Sequence, residues 1–201
     1  MQTKTTKGKS NFDEWVTKER VLTLLRHLAL AGAAGLVSTA ELIFGVRPFG
    51  IALAAAMPLT YLPAAFLGAA GGSLFLRDYL SLSALGILLV VRAFFSLVME
   101  PGGKDHPFGE RVGLRVVASA AAVLAAGVYT AVRGGYLYFD LFALLLSVAA
   151  APLATFLYFG IAEGEEGRFP YSREAGFAAL IFTAIFAVRG VNFAGLWPGA
   201  I

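Results

Sequence analysis

The stretch from Arg47 to Gly72, "RPFGIALAAAMPLTYLPAAFLGAAGG", decides how the rest of the chain is read. It carries no charge after Arg47, yet Pro48, Pro58 and Pro63 divide it into apolar pieces. Phe49 to Met57 gives roughly 14 Å of helix and Leu62 to Leu76 about 22 Å, at ~1.5 Å per residue. Neither crosses a ~30 Å hydrocarbon layer comfortably. Proline removes a backbone donor and clashes with the preceding turn, so Pro58 and Pro63, on either side of Leu59-Thr60-Tyr61, preclude one continuous helix. The expectation is a short helical hairpin over 47–76, either re-entrant or crossing with local thinning of the bilayer. Irregular backbone at membrane depth needs protein around it, which places the hairpin inside a bundle.

Composition makes that bilayer reading compulsory. The 201 residues are 58% hydrophobic and 14% charged, with a mean hydropathy of +0.75, against roughly 45–50% apolar and about 25% charged in soluble domains. Runs such as "FALLLSVAAAPLATFLYFG" lack the period-two alternation of a membrane barrel, so the class is all-α: a polytopic transmembrane helical bundle. About six to seven membrane segments are expected, near 25–46, 49–57, 62–76, 80–98, 112–132, 138–160 and 174–192. Ahead of them, residues 1–24 form a basic, amphipathic segment in which Phe12, Trp15, Val16 and Glu19 recur at helical spacing. That segment is either an interfacial helix or a solvated tail with one anchoring Trp. It is too long and too charged to be a cleaved signal peptide.

Charge fixes the orientation. Lys4, Lys7, Lys9, Lys18 and Arg20 crowd the start, so the N-terminus is expected in the cytoplasm of a bacterial cell whose plasma membrane the chain crosses several times. A hairpin that crosses twice then leaves "MEPGGKDHPFGER" and "AEGEEGRFPYSRE" on the cytoplasmic side, and Arg47, Arg77, Arg133 and the end of the chain outside. Re-entrance without crossing is expected to invert the later loops. The net charge of +3 is spent on lipid head groups and orientation, and a nucleic-acid partner is not expected. Disulfides, thiolate metal sites and cysteine nucleophiles are excluded, because the chain has no cysteine. His27 and His106 lie too far apart in sequence to suggest a histidine metal site.

The candidates for intramembrane polar contacts are Glu41, Arg92 and Asp140. A central Arg92 costs about 2.5–3.5 kcal/mol to insert, which the surrounding Leu, Ile, Val and Phe offset. It either snorkels to head groups or pairs with an acid such as Glu41. Glu41 reaches the interface, pairs with Arg47, or marks a substrate or proton path. Asp140, within the first turn of its helix, has capping as its default role, as have Ser172 and Glu174. Gly68 and Gly72 form a small-xxx-small pair, which serves either packing inside the chain or a dimer face. Glu163, Glu165 and Glu166 read as a solvated charged loop rather than a cation site. No P-loop, G-x-S-x-G, H-E-x-x-H or two-metal aspartate set occurs, so no catalysis, cofactor or metal is expected.

Three stretches, "ELIFGVRPFGIALAAAMP", "GVYTAVRGGYLYFDLFALLLSV" and "YSREAGFAALIFTAIFAVRGVNFAGL", resemble successive parts of the N-terminal multi-span membrane region of stage II sporulation protein E. The matching positions are Pro48, Phe49, Gly50 and Ala52, then Gly135, Phe139 and Asp140, then Ser172, Glu174 and Gly190. They fall in order over about residues 25–196. The resemblance implies a non-catalytic membrane anchor that positions a cytoplasmic phosphatase at the division septum during spore formation. In that family the anchor precedes a manganese-dependent serine/threonine phosphatase domain. This chain stops at "LWPGAI", so it is expected to be a truncated or stand-alone copy without that domain. The expected partners are the lipid bilayer, septum proteins and a second copy of the chain. Two other readings stay open: the substrate-binding membrane subunit of an energy-coupling-factor vitamin transporter, with Glu41, Arg92 or Asp140 in its pocket, and a membrane scaffold of unknown role.

Overall fold

A computed structural model describes residues 18–42, 46–99, 108–134, 138–163 and 172–190. Every regular element among them is a helix: α1 (Lys18–Ser38), α2 (Phe49–Ala56), α3 (Leu62–Phe75), α4 (Tyr79–Met99), α5 (Phe108–Gly134), α6 (Tyr138–Glu163) and α7 (Ser172–Gly190). Four of these contain windows long and apolar enough to cross a membrane, at Arg20–Ser38, Tyr79–Ser96, Glu110–Arg133 and Leu141–Ala162. The chain is thus an all-α, polytopic membrane bundle. Its outward surface carries Leu67, Val90, Phe94, Leu145, Phe156 and Phe182, a large apolar area of the kind that lipid, not water, covers.

The eight residues of α2 sit at the centre, and α1, α3, α4, α5 and α6 all touch them. Around this short helix the other six close a ring in the order α1, α3, α4, α5, α6, α7 and back to α1. Gly50 through Ala56 are buried without exception, which is why α2 is apolar on every face instead of striped. Its alanines let five neighbours come close, since a small side chain keeps backbones near each other where dispersion, not water, drives association.

The hairpin enters and leaves on one face. Arg47, just before α2, lies 3.8 Å from Asp78, just after α3. The reversal at its tip runs through Pro58–Tyr61, where the Pro58 carbonyl accepts from the Tyr61 and Leu62 N–H groups at 2.9 Å each. Gauged along α4, the tip lies beside Arg92, roughly 20 Å from Tyr79 at ~1.5 Å per residue. The hairpin is therefore about two-thirds as deep as a ~30 Å apolar layer is thick. The inversion expected for a re-entrant hairpin does not follow, because helices that enter and exit by one face leave the side of every later segment unchanged.

The first span is displaced from its expected place. The helix starts at Lys18 and ends at Ser38 rather than occupying 25–46. Three-residue bonds from Thr39 N to Leu36 O and from Ala40 N to Val37 O, 3.1 Å each, tighten its last turn. The hydroxyls of Ser38 and Thr39 donate to Gly35 O and Leu36 O at 2.8 and 2.7 Å. Such local bonds compete with helix continuation, and Arg47, preceding Pro48, is itself disfavoured in helix. Hydropathy could not see this stop because "TAELIFGV" is as apolar as a span. The amphipathic pattern of residues 12–17 lies outside the described residues.

Between α3 and α4 the chain turns within three residues. Arg77 takes a left-handed conformation, φ 56°, while Arg77 N donates to Leu74 O at 3.0 Å and Asp78 N to Ser73 O at 2.8 Å. This is the Schellman arrangement with arginine where glycine is usual. Asp78 then caps α4, accepting from the Ser81 N–H at 3.0 Å and the Ser81 hydroxyl at 2.7 Å.

Candidate functional site

The site is the buried end of α2, and its chemistry follows from a helix that stops inside the bundle. Met57 precedes Pro58 and is extended, φ −74° and ψ 143°, as the proline ring requires of the residue before it. A helix that ends here leaves carbonyls without intrahelical donors, in surroundings with no bulk water. Two arginines supply the donors. Arg115 Nη1 donates to Ala56 O at 2.6 Å, and Arg92 Nη2 donates to Met57 O at 3.1 Å.

Both guanidinium-bearing residues are buried, Arg92 at 9% and Arg115 at 6% relative exposure. Inserting each costs a few kcal/mol, and the electrostatics of the α2 end offset part of that. The C-terminal carbonyls of a helix carry partial negative charge, so a cation there is favoured within the last turn. Hydrogen bonds from an ionised donor are also about twice as strong as neutral ones. Arg115 gains further from the face of Phe159, 4.7 Å from the guanidinium carbon to the ring centroid. Helices α4, α5 and α6 thus converge on one end of α2.

α1 holds the same tip from another direction. The His27 ring lies 5.0 Å from Tyr61, centroid to centroid. Its Nδ1 faces Thr23 O at 2.7 Å and its Nε2 faces Thr60 O at 3.3 Å. At the open mouth of the hairpin, Arg47 Nη2 donates to Glu41 at 2.8 Å. With Asp78 and Ser81 these residues form a polar clasp where the chain enters and leaves.

These positions redistribute the candidate residues. Glu41 lies in the α1–α2 connection and pairs with Arg47, so Arg92 does not take it as a partner. Arg92 does not snorkel either: its guanidinium reaches the Met57 carbonyl in the interior. Asp140 is the third residue of α6, and its side chain, like Glu163, Glu165, Glu166 and His106, lies outside the described residues. Gly68 and Gly72 face α1. A Cβ on Gly68 would lie 2.8 Å from Ala31 Cα, and one on Gly72 would meet Ser38 Oγ and the Gly35 carbonyl. The pair is spent inside the chain, not on a dimer face. Arg115 escaped the sequence reading although it stands in the span expected at 112–132, where any arginine asks for a partner. Asp78 escaped because a capping residue in a polar turn resembles any loop acid.

The described residues contain no group of three or more His, Cys, Asp or Glu placed to hold a metal ion. The geometry defines a class: a helical membrane bundle built around a short central helical hairpin whose end is held by arginines. By comparison with known proteins, no family model, no curated protein and no solved structure matches the chain.

Proposed function

We propose that this chain is a non-catalytic membrane domain that anchors and positions a partner, in the manner of the membrane region of the stage II sporulation phosphatase. The observation that supports this reading is the use made of the buried charges: Arg92 and Arg115 are turned onto the backbone of α2, where they brace the architecture. A bundle braced at its centre offers a rigid platform, and rigidity is what positioning a soluble domain demands. The resemblance of the segments around Pro48, Phe139 and Glu174 gives the platform its proposed cargo, a cytoplasmic phosphatase at the division septum. Lys4, Lys7, Lys9, Lys18 and Arg20 orient it with the N-terminus in the cytoplasm, and on that orientation the segments after α4 and α6 also face the cytoplasm.

The test is to express a fluorescently tagged copy in a spore-forming bacterium and image it through asymmetric division. Enrichment at the septum, with co-purification of a serine/threonine phosphatase, is expected. Uniform distribution around the cell throughout division would overturn the septal reading. Thermal stabilisation by a B-vitamin would select a transporter subunit instead.

A further inference from the structure

Arg20, Thr23, Leu24 and His27 line an open crease of about 440 Å³. Their spacing puts them along one face of α1, over roughly 10 Å at ~1.5 Å per residue. His27 closes the inner end by its contacts with Thr60 and Tyr61 of the hairpin tip. Arg20 begins the apolar window of α1. The crease therefore straddles the boundary between hydrocarbon and head groups, where phospholipid phosphates lie. A guanidinium and a hydroxyl, both suited to phosphate oxygens, stand at its polar end. Leu24, 60% exposed, is an apolar wall beside them.

We propose that this crease seats the head group of one anionic phospholipid, with its phosphodiester against Arg20 and Thr23 and its glycerol and first acyl carbons along Leu24. The apolar wall selects a lipid over free phosphate, and the boundary depth brings the phosphate to Arg20 without pulling the chains from the bilayer. A head group seated there touches α1 beside its His27 contact with the hairpin, so lipid occupancy reinforces the join of α1 to the tip.

The experiment uses the full chain in mixed micelles holding phosphatidylglycerol and phosphatidylcholine at equal mole fraction, released for native mass spectrometry. One retained phosphatidylglycerol is expected, about five-fold over phosphatidylcholine, the preference that one interfacial basic residue confers. Arg20→Gln lowers that ratio towards one and Arg20→Lys restores part of it, Thr23→Val lowers the retention of both lipids because each carries the phosphodiester, and Arg26→Gln, an equal loss of charge off the stripe, leaves the ratio unchanged. Millimolar inorganic phosphate does not displace the lipid. Equal retention of the two lipids, equal losses in Arg20→Gln and Arg26→Gln, or displacement by phosphate would each overturn the proposal. The substituted side chains at positions 20 and 23 are exposed, so a lost preference reports the site and not misfolding.

Discussion

Arg92 and Arg115 carry the most consequence per residue. In the inserted but unpacked state each long side chain can reach head groups, so packing the bundle trades that solvation for a carbonyl of α2. Arg115→Met should cost about 2 kcal/mol, combining a lost charged hydrogen bond with a stranded Ala56 carbonyl. Unfolding in mixed micelles by graded denaturing detergent measures it; an unchanged midpoint would mean that the α2 end needs no donor. Because both arginines brace one helix end, Arg92→Met with Arg115→Met should cost less than the two singles together. Arg77 works in the opposite sense. Its left-handed backbone is strained for a residue with a Cβ, so Arg77→Gly should stabilise by roughly 0.5–1 kcal/mol after glycine's entropy cost. A lower melting temperature would show that the arginine side chain does something the turn requires. Arg92 was legible as a charge in an apolar run, but its partner was not, because a backbone carbonyl has no letter in a sequence.

Among the elements, α1 and α3 show how close packing is written in small residues. Gly71 and Gly72 are adjacent, yet a Cβ on Gly71 meets nothing within 4 Å, while one on Gly72 strikes Ser38 and the Gly35 carbonyl. Gly72→Ala should cost about 1–3 kcal/mol through overpacking, whereas Gly71→Ala should be neutral or gain up to about 1 kcal/mol from helix propensity. Equal effects at the two positions would refute the α1–α3 register. The small-xxx-small spacing of Gly68 and Gly72 was readable beforehand. That their face meets α1 was not, because small residues serve chain-internal and dimer seams alike. The hairpin was legible in outline from Pro58 and Pro63, whose missing donors forbid one helix. The end of α1 at Ser38 was hidden, because hydropathy reads solvent preference and is blind to the hydroxyl–carbonyl bonds that close a helix.

At the scale of the whole molecule, the hairpin's single-face entry fixes the sides of all later segments. Cysteines introduced one at a time into this cysteine-free chain should divide cleanly: Glu41→Cys and Arg133→Cys label from one side of the membrane, Arg20→Cys and Arg173→Cys from the other. Glu41→Cys labelling from the same side as Arg20→Cys would break the topology. Sequence alone determined that the chain lives in lipid, that it is helical, and that Pro58 and Pro63 interrupt a helix within the bilayer. These are properties of each residue against its solvent and its immediate neighbours, so local composition contains them. Only the tertiary structure decided that α2 is the hub of a ring of six, that Arg92 and Arg115 donate to the carbonyls at its end, and that Gly72 meets Ser38. Those facts depend on which distant segments pack together, and a buried polar group names its need in the sequence while the fold alone names what meets it.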